Sequence, residues 1–457
     1  MKRRQPVPRQ RSFRRSICWS LLLLVYLTPG CSTHAKRLAT PRTLFYDGRL
    51  EECRTSLAKL EKSRHDKDVV NLDLAVVDLL SGRPREAEKR LKIARDRFEE
   101  LESESITEKT VSMWTDDQVR SYGGEDYEKI LIRAFLALSN LLHDGTDAES
   151  YTLQLQQKHE EIAIRIGEID PSKPLPYRPL PMGFYLRGML REATLRDYDD
   201  AVRNYEIASG LMPDCLPLQW DLNRARGGVH SRPGHGVIYV FAMVGRGPYK
   251  VEVSEQPTSD ALLIADRIVS AAGPYKVPPT IAPIKIPDIA IPTSDVSSVG
   301  VSVNGAKIGE THCIADVEEL ALESYKATRN TIVARAVARR VIKKATVAAA
   351  KQSMNTEGLT SVGMDLAGIA WEATEGADTR CWGLLPNAIQ VLRVEAPKGT
   401  AFVELTPLMR GRPVGSSKPV QIPLTDGRNS YILCWFPDAR STSQVITCSN
   451  SLVSPAP

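Results

Sequence analysis

Tyr198-Asp199-Asp200-Ala201-Val202-Arg203-Asn204-Tyr205-Glu206-Ile207-Ala208-Ser209-Gly210-Leu211-Met212-Pro213 sets Tyr198, Ala201, Tyr205 and Ala208 three and four residues apart and closes on Pro213. That spacing puts all four on one face of a helix. The small residues let a second helix approach, and the tyrosines fill the space beside them. A proline two residues past the last turn cannot continue the helix. The stretch therefore predicts one helix of a packed pair, with Tyr198, Ala201, Tyr205, Ala208 and Pro213 as the packing positions.

Related spacing occurs upstream. Gly48, Cys53, Leu57 and Leu60 recur as Gly82, Ala87, Leu91 and Ala94, an offset of 34 residues. That is the period of the tetratricopeptide repeat. The unit ending at Pro213 has a weaker first helix, with Gly188 one position from where the pattern places it, and a unit over 137–155 is degenerate. Residues 45–222 are expected to form an irregular array of three to four helical hairpins. An irregular helical bundle with chance matches is the alternative.

Gly227-Gly228 marks a boundary, after which the period changes to that of strands. Residues 237–244 read as a buried strand, and 249–253 alternate as a half-exposed one. Prolines recur through 273–292 among apolar residues, as in extended edge chain. Residues 299–308, broken by Asn304-Gly305, read as a hairpin. Residues 316 to about 352 form a long alanine-rich basic helix. A second helix over 359–373 carries Gly363 and Gly368. Strands are expected again at 388–394, 400–405, 420–424, 431–436 and 444–448. The fold class is thus α+β. An N-terminal all-α tetratricopeptide-like array (31–226) precedes a β-sandwich-like C-terminal domain with a long helical insertion, built from a β-rich segment (227–310), the insertion (311–378) and a closing β-rich segment (379–457).

Residues 1–30 carry seven basic side chains and no acidic one, around an apolar run at 17–27. The run is shorter than the ~20 residues that span a bilayer and has the length of a signal-peptide core. Leu27-Thr28-Pro29-Gly30-Cys31 follows, as small residues precede the cysteine of a bacterial lipoprotein signal. Cys31 is the expected lipidation site, with residues 1–30 as signal peptide. Cleavage after Ala35, with Thr33 and Ala35 as the small pair, and an uncleaved anchor are alternatives. Ser32 fits outer-membrane sorting, so the expected location is the cell envelope, facing the periplasm. The formal charge of +5 becomes −2 once residues 1–30 are removed, which gives nucleic-acid binding no support. Apolar content of 42% and charged content of 25% are those of a globular protein.

No H-E-x-x-H, G-x-S-x-G or P-loop is present. His230 and His235 bracket Pro233, and His312 precedes Cys313. They read as loop histidines, so neither a metal, a catalytic residue nor a cofactor is expected. Cys434 and Cys448 flank a short loop between strands and could pair in an oxidising compartment; buried thiols are the alternative. Tyr122-Gly123-Gly124-Glu125-Asp126-Tyr127-Glu128 is either a tight turn between repeats or an exposed acidic rim for a partner, with Tyr122, Glu125 and Asp126 as contact residues. The preceding loop, Met113-Trp114-Thr115-Asp116-Asp117, shares that reading. Asp378 and Arg380 are expected to pair and pin the end of the helical insertion, with Trp382 buried. The basic helix over 329–351 could lie on anionic lipid headgroups, or be a solvated face above the stripe Ile332, Val333, Val337, Val341 and Val347.

Tyr122–Glu128 ahead of a helix, Tyr185-Leu186-Arg187-Gly188 with the Tyr198 repeat, the strand after Gly236, and Ala377-Asp378-Thr379-Arg380-Cys381-Trp382 followed by Leu384-Leu385-Pro386 together carry a resemblance. The chain resembles an uncharacterised family of bacterial envelope lipoproteins with an N-terminal tetratricopeptide-like region. Cys381 stands where that family has serine, so a required disulfide is not implied there. The resemblance implies an envelope location and a link to envelope or peptidoglycan assembly. The expected function is that of a non-enzymatic, lipid-anchored protein holding a protein partner through its helical array, with no small-molecule substrate. A membrane-contacting structural protein using helix 329–351 is the alternative, and an enzyme without a recognisable motif a further one.

Overall fold

The structure, a computed structural model, describes residues 34–63, 65–107, 121–169, 179–273, 275–278, 281–353, 376–439 and 444–449. Cys31, the 113–117 loop and the second helix at 359–373 lie outside them. No helix among the described residues is long and apolar enough to cross a membrane.

The N-terminal half is helical: α1 His34–Arg37, α2 Ala39–Tyr46, α3 Leu50–Leu60, α4 Lys67–Leu80, α5 Pro84–Thr107, α6 Asp126–Leu141, α7 Ala148–Ile169, α8 Pro181–Glu192, α9 Tyr198–Leu211 and α10 Leu216–Arg226. Each packs on the helix before it and the helix after it. Ala201, Tyr205 and Ala208 are fully buried, as the spacing predicts, while Tyr198 is half-buried and Pro213 exposed. The close approach comes from Gly188 on α8: a Cβ there would lie 2.8 Å from the Tyr205 ring.

The other two repeat glycines act differently. Gly48 and Gly82 both have φ of +74° and follow the ends of α2 and α4. A Cβ on Gly82 would meet nothing within 4 Å, so its backbone, not helix proximity, requires glycine. The 34-residue spacing links only these two turns. Later hairpins turn through Gly145 and through Leu195, itself at φ +61°, with different loop lengths.

The C-terminal half is built from strands β1 His235–Val244, β2 Tyr249–Glu255, β3 Ile284–Ala290, β4 Ser298–Val303, β5 Ala306–Glu310, β6 His312–Asp316, β7 Ala388–Pro397, β8 Gly399–Met409, β9 Arg412–Pro413, β10 Lys418–Leu424, β11 Asn429–Phe436 and β12 Gln444–Ser449, with helices α11 Ser259–Ala272 and α12 Val317–Ser353. One sheet runs β12-β11-β1-β7-β6, and a second runs β10-β8-β4-β5 with β9 beside β8. β1 is parallel to β11 and antiparallel to β7. The expected hairpin is β4–β5, turning through Asn304 and Gly305 at φ +49° and +79°, as the two-residue primed turn requires.

Strand alternation explains the architecture. Ile238, Val240, Ala242 and Val244 of β1 face the second sheet and share a core with Val301, Val403 and Ile422. Val237, Tyr239, Phe241 and Met243 face the opposite way, into one core with the N-terminal helices. A strand buried on both faces reads as an unbroken apolar run. The helices cross this face in chain order, α4 meeting β12 at one edge and α8 meeting β6 at the other. The boundary expected at residue 226 is therefore a change of secondary structure, and one hydrophobic core runs through it.

No sequence expectation covers α11 or β6. Thr258 caps α11 through its hydroxyl, accepting from the Ala261 N–H at 3.3 Å. α11 packs on α12 and β3 through Ala261, Ala265, Ile286, Val333 and Val337, so the middle of the apolar stripe on the long helix is core. Cys434 and Cys448 do not face each other. Cys434 pairs in register with Val445, and Cys448 with Tyr431. Residues 431 and 434 point to opposite faces of β11, which rules out the disulfide considered above.

Candidate functional site

Residues 377–386 enter the helical array as an irregular segment that bends at Cys381 and turns at Gly383 and Leu384. Trp382 is fully buried, its ring centroid 5.0 Å from that of Phe135 on α6. Its backbone N–H donates to Oε1 of Glu128 at 2.7 Å. Two residues on, the Leu384 N–H donates to Oδ1 of Asp73 on α4 at 3.0 Å. The Ala35 N–H donates to the Thr379 hydroxyl at 3.1 Å. Arg380 donates to both oxygens of Asp378, at 2.9 and 2.7 Å, and to the carbonyl of His65 at 3.2 Å. The expected Asp378–Arg380 pair and buried Trp382 are thus present, and they tie the end of the helical insertion to α1, α4 and α6.

Both acceptor carboxylates are fully buried. Burial pushes Asp73 up to about 8, against the opposing pull of Arg42 and of the Leu384 and Gly383 N–H groups. Burial and the neighbouring Glu125 also raise Glu128. Tyr122 donates to Glu128 at 2.5 Å.

This overturns an exposed rim at Tyr122, Glu125 and Asp126. Tyr122 is buried and the two carboxylates are half-buried. Glu125 caps α6 in a reciprocal capping box with Glu128 and pairs with Lys250 of β2, which is itself buried. Asp126 pairs with Arg165 of α7 at 2.7 Å. The residue types that suggest a charged docking edge are here consumed by a helix cap and a seam. Lys250 sits far away in sequence within an alternating strand, and only the tertiary contacts of β2 with the 377–386 segment reveal the pairing: the Lys250 N–H donates to Sγ of Cys381 at 3.3 Å, and Glu252 accepts the Ala377 N–H at 2.8 Å.

The histidines stay apart. His230 contacts Asn429 at 2.8 Å, and His312 stands edge-on to Tyr185. Among the described residues no group of three or more His, Cys, Asp or Glu is placed to hold a metal ion. A cleft of about 450 Å³ is lined by Glu88, Lys92, His143 and Asp147 among others. Glu88 accepts from Tyr151 at 2.5 Å, from Lys92 at 2.8 Å and contacts His143. The Lys92, Tyr151 and His143 contacts outweigh burial and hold Glu88 below the usual carboxylate range. A carboxylate occupied on both oxygens is a poor base, so these contacts make it a structural acceptor.

Among the described residues several large apolar side chains are exposed, Leu263, Ile164, Ile93 and Phe402 among them. Trp382 and Trp435 are buried, but Trp220 on α10 is 65% exposed. Leu216, one turn earlier, is 57% exposed, and Ile207 on α9 is 42% exposed. The terminal helix of a stacked array normally presents a polar outer face.

These features define a mixed α/β protein whose N-terminal helices pack across a C-terminal sheet. Comparison with family models, with curated proteins and with solved structures finds no match to this chain.

Proposed function

We propose that this chain is a non-enzymatic, lipid-anchored cell-envelope protein that engages a protein partner through the outer surface of a tetratricopeptide-like helical array. The supporting observation is the exposed pair Leu216 and Trp220 on its last helix. Tryptophan is enriched among the residues that dominate protein interfaces, and an array end that exposes Leu216 and Trp220 beside Asn223 and Arg226 offers a neighbour both apolar and polar contacts. The inner helices α4 and α6 are buried against the chain's own sheet and segment 377–386, so the partner surface lies on the outward helices. The anchor is the lipidated Cys31, and the surroundings are those of envelope assembly.

The test uses the full-length protein in its native envelope. A photo-crosslinking residue at 220 should capture one discrete partner band, and the same residue at exposed Lys326 should not. Trp220→Ala should abolish co-purification of that partner while leaving thermal stability unchanged. Identical adducts from both positions would defeat the reading. Cys31→Ala should leave unprocessed precursor or release the protein from membranes; normal processing and retention would remove the lipid anchor.

A further inference from the structure

A groove of about 300 Å³ opens between the start of α8, the end of α9, β6 and the first turns of α12. Its floor is apolar, formed by Leu180, Leu211, Met212, Ile314 and Leu320. Along its rim stand Asp316, Glu319 and Glu323, three and four residues apart and so on one side of α12. Asp316 accepts the Glu319 N–H at 2.8 Å as a helix cap. Among the described residues none of the three forms an ion pair, and no lysine, arginine or histidine lines the groove. The contrast within the molecule is sharp: Glu192 and Asp221 nearby both pair with Arg224.

The start of α12 accounts for Asp316 and Glu319, because carboxylates are favoured at a helix N-terminus. Glu323, in the second turn, lies beyond the reach of that effect. An apolar slot under three carboxylates that form no ion pair among the described residues suits a group with an aliphatic body and a cationic end. A lysine side chain has that shape, with methylenes that bury and an ammonium that stays at the polar edge. A neutral or anionic group of the same length would gain the floor and leave the rim unpaired, or repelled. Met212 lies four residues before Leu216 and eight before Trp220 on α10, which makes the groove continuous in chain with the surface assigned above to a partner.

We infer that this groove seats a lysine side chain of the protein partner, with Glu319 and Glu323 receiving its ammonium. The inference rests on the partner-binding reading and names the chemistry of that partner.

The test uses full-length protein carrying ¹³C-methyl methionine, with the Met212 signal assigned through Met212→Leu. The probes are acetyl-Gly-Lys-Gly-amide and the same peptide with Nε-acetyl-lysine. The lysine peptide should shift the Met212 methyl saturably, and the acetylated peptide should bind at least about tenfold more weakly, since it loses a charge-assisted contact. Glu319→Gln with Glu323→Gln should weaken the lysine peptide by a similar factor. Equal binding of the two peptides, or no movement at Met212, overturns the inference, and neither outcome depends on the double variant folding. Crosslinking at residue 220 that survives such a failure would remove the lysine slot alone. Peptide binding without that crosslink would instead move the partner surface away from Trp220.

Discussion

The backbone N–H of Leu384 donates to Oδ1 of Asp73 at 3.0 Å, across 311 residues of chain. Trp382, two residues earlier, makes the equivalent contact to Glu128. The segment bends at Cys381 and turns at Gly383 and Leu384, and its two N–H groups meet carboxylates on two different helices, Asp73 on α4 and Glu128 on α6. The helical array therefore holds a piece of its own chain in the manner in which such an array can hold a peptide. That contact joins the cores of the two halves and accounts for the insertion's return to the sheet just after residue 386.

The Asp73 contact should make stability fall with rising pH. Its carboxyl titrates at about 8 in the folded protein against 3.8 for an ordinary aspartate. Between those values the folded state binds more protons than the unfolded state, so stability declines as pH rises through that window. Glu128 is also raised and acts in the same direction. Urea denaturation should show a loss of about 2 kcal/mol or more between about pH 5 and about pH 8. Asp73→Asn keeps an oxygen for the Leu384 N–H and removes the titration, so its slope should be visibly flatter. A variant with the wild-type slope would show that Asp73 does not carry the effect.

Much of the fold is legible in local pattern. Tyr205 and Ala208 announce a packed helix, Asn304-Gly305 a primed hairpin, and residues 237–244 a strand covered on both sides. The relation between the halves is not legible, because it depends on which face of β1 meets which layer. Tyr239 and Val240 are neighbours in one buried run and lie in different cores. The seam is hidden for the same reason. Glu125, Glu128 and Asp73 are charged residues that pattern assigns to solvent, and their partners Lys250, Trp382 and Leu384 lie more than a hundred residues away. Gly48 and Gly82 illustrate the converse: a true spacing with a different cause, backbone conformation instead of close helix packing.

Gly188→Ala tests the α8–α9 crossing. The new methyl would lie 2.8 Å from the Tyr205 ring, and that ring is tethered by its hydroxyl to Glu192 at 2.9 Å. Overpacking of this kind costs roughly 1–3 kcal/mol. Ala201→Glu, at a fully buried position, should cost several kcal/mol by burying an unpaired carboxylate. Chemical denaturation measures both. A Gly188→Ala protein as stable as the wild type would mean that the crossing is looser than described.

The cysteines of β11 and β12 should both react as thiols. Cys434 lies in the core between the sheets, and Cys448 packs toward the helices. Unfolding in iodoacetamide without reductant, followed by peptide mass analysis, should find both alkylated. A linked 434–448 peptide would require a three-residue shift of β12 along β11 and would overturn the register.

Charge reversal at Glu125 should damage the fold before it affects any partner. Glu125 is the half-buried counterion of Lys250, whose side chain is only 9% exposed. Burial alone would lower the Lys250 pKa, but Glu125 and Asp378 more than offset it and raise it above the ordinary lysine value. Removing one member of such a pair strands the other charge in a poorly solvated site, which costs more than the pair contributes. Glu125→Gln should therefore lose about 2 kcal/mol, and Glu125→Lys more, because two ammonium groups would then meet. Lys250→Met should be milder than either, since a residue of similar volume replaces the buried charge and Glu125 keeps its cap at α6. Combining Glu125→Gln with Lys250→Met should cost less than the two single changes added together, and thermal unfolding of the four proteins measures that coupling. Strict additivity would show that the two charges do not interact across the seam. Asp126→Lys should also be destabilising, because Asp126 pairs with Arg165 at 2.7 Å and with Lys129, whose side chain is 9% exposed, at 3.6 Å.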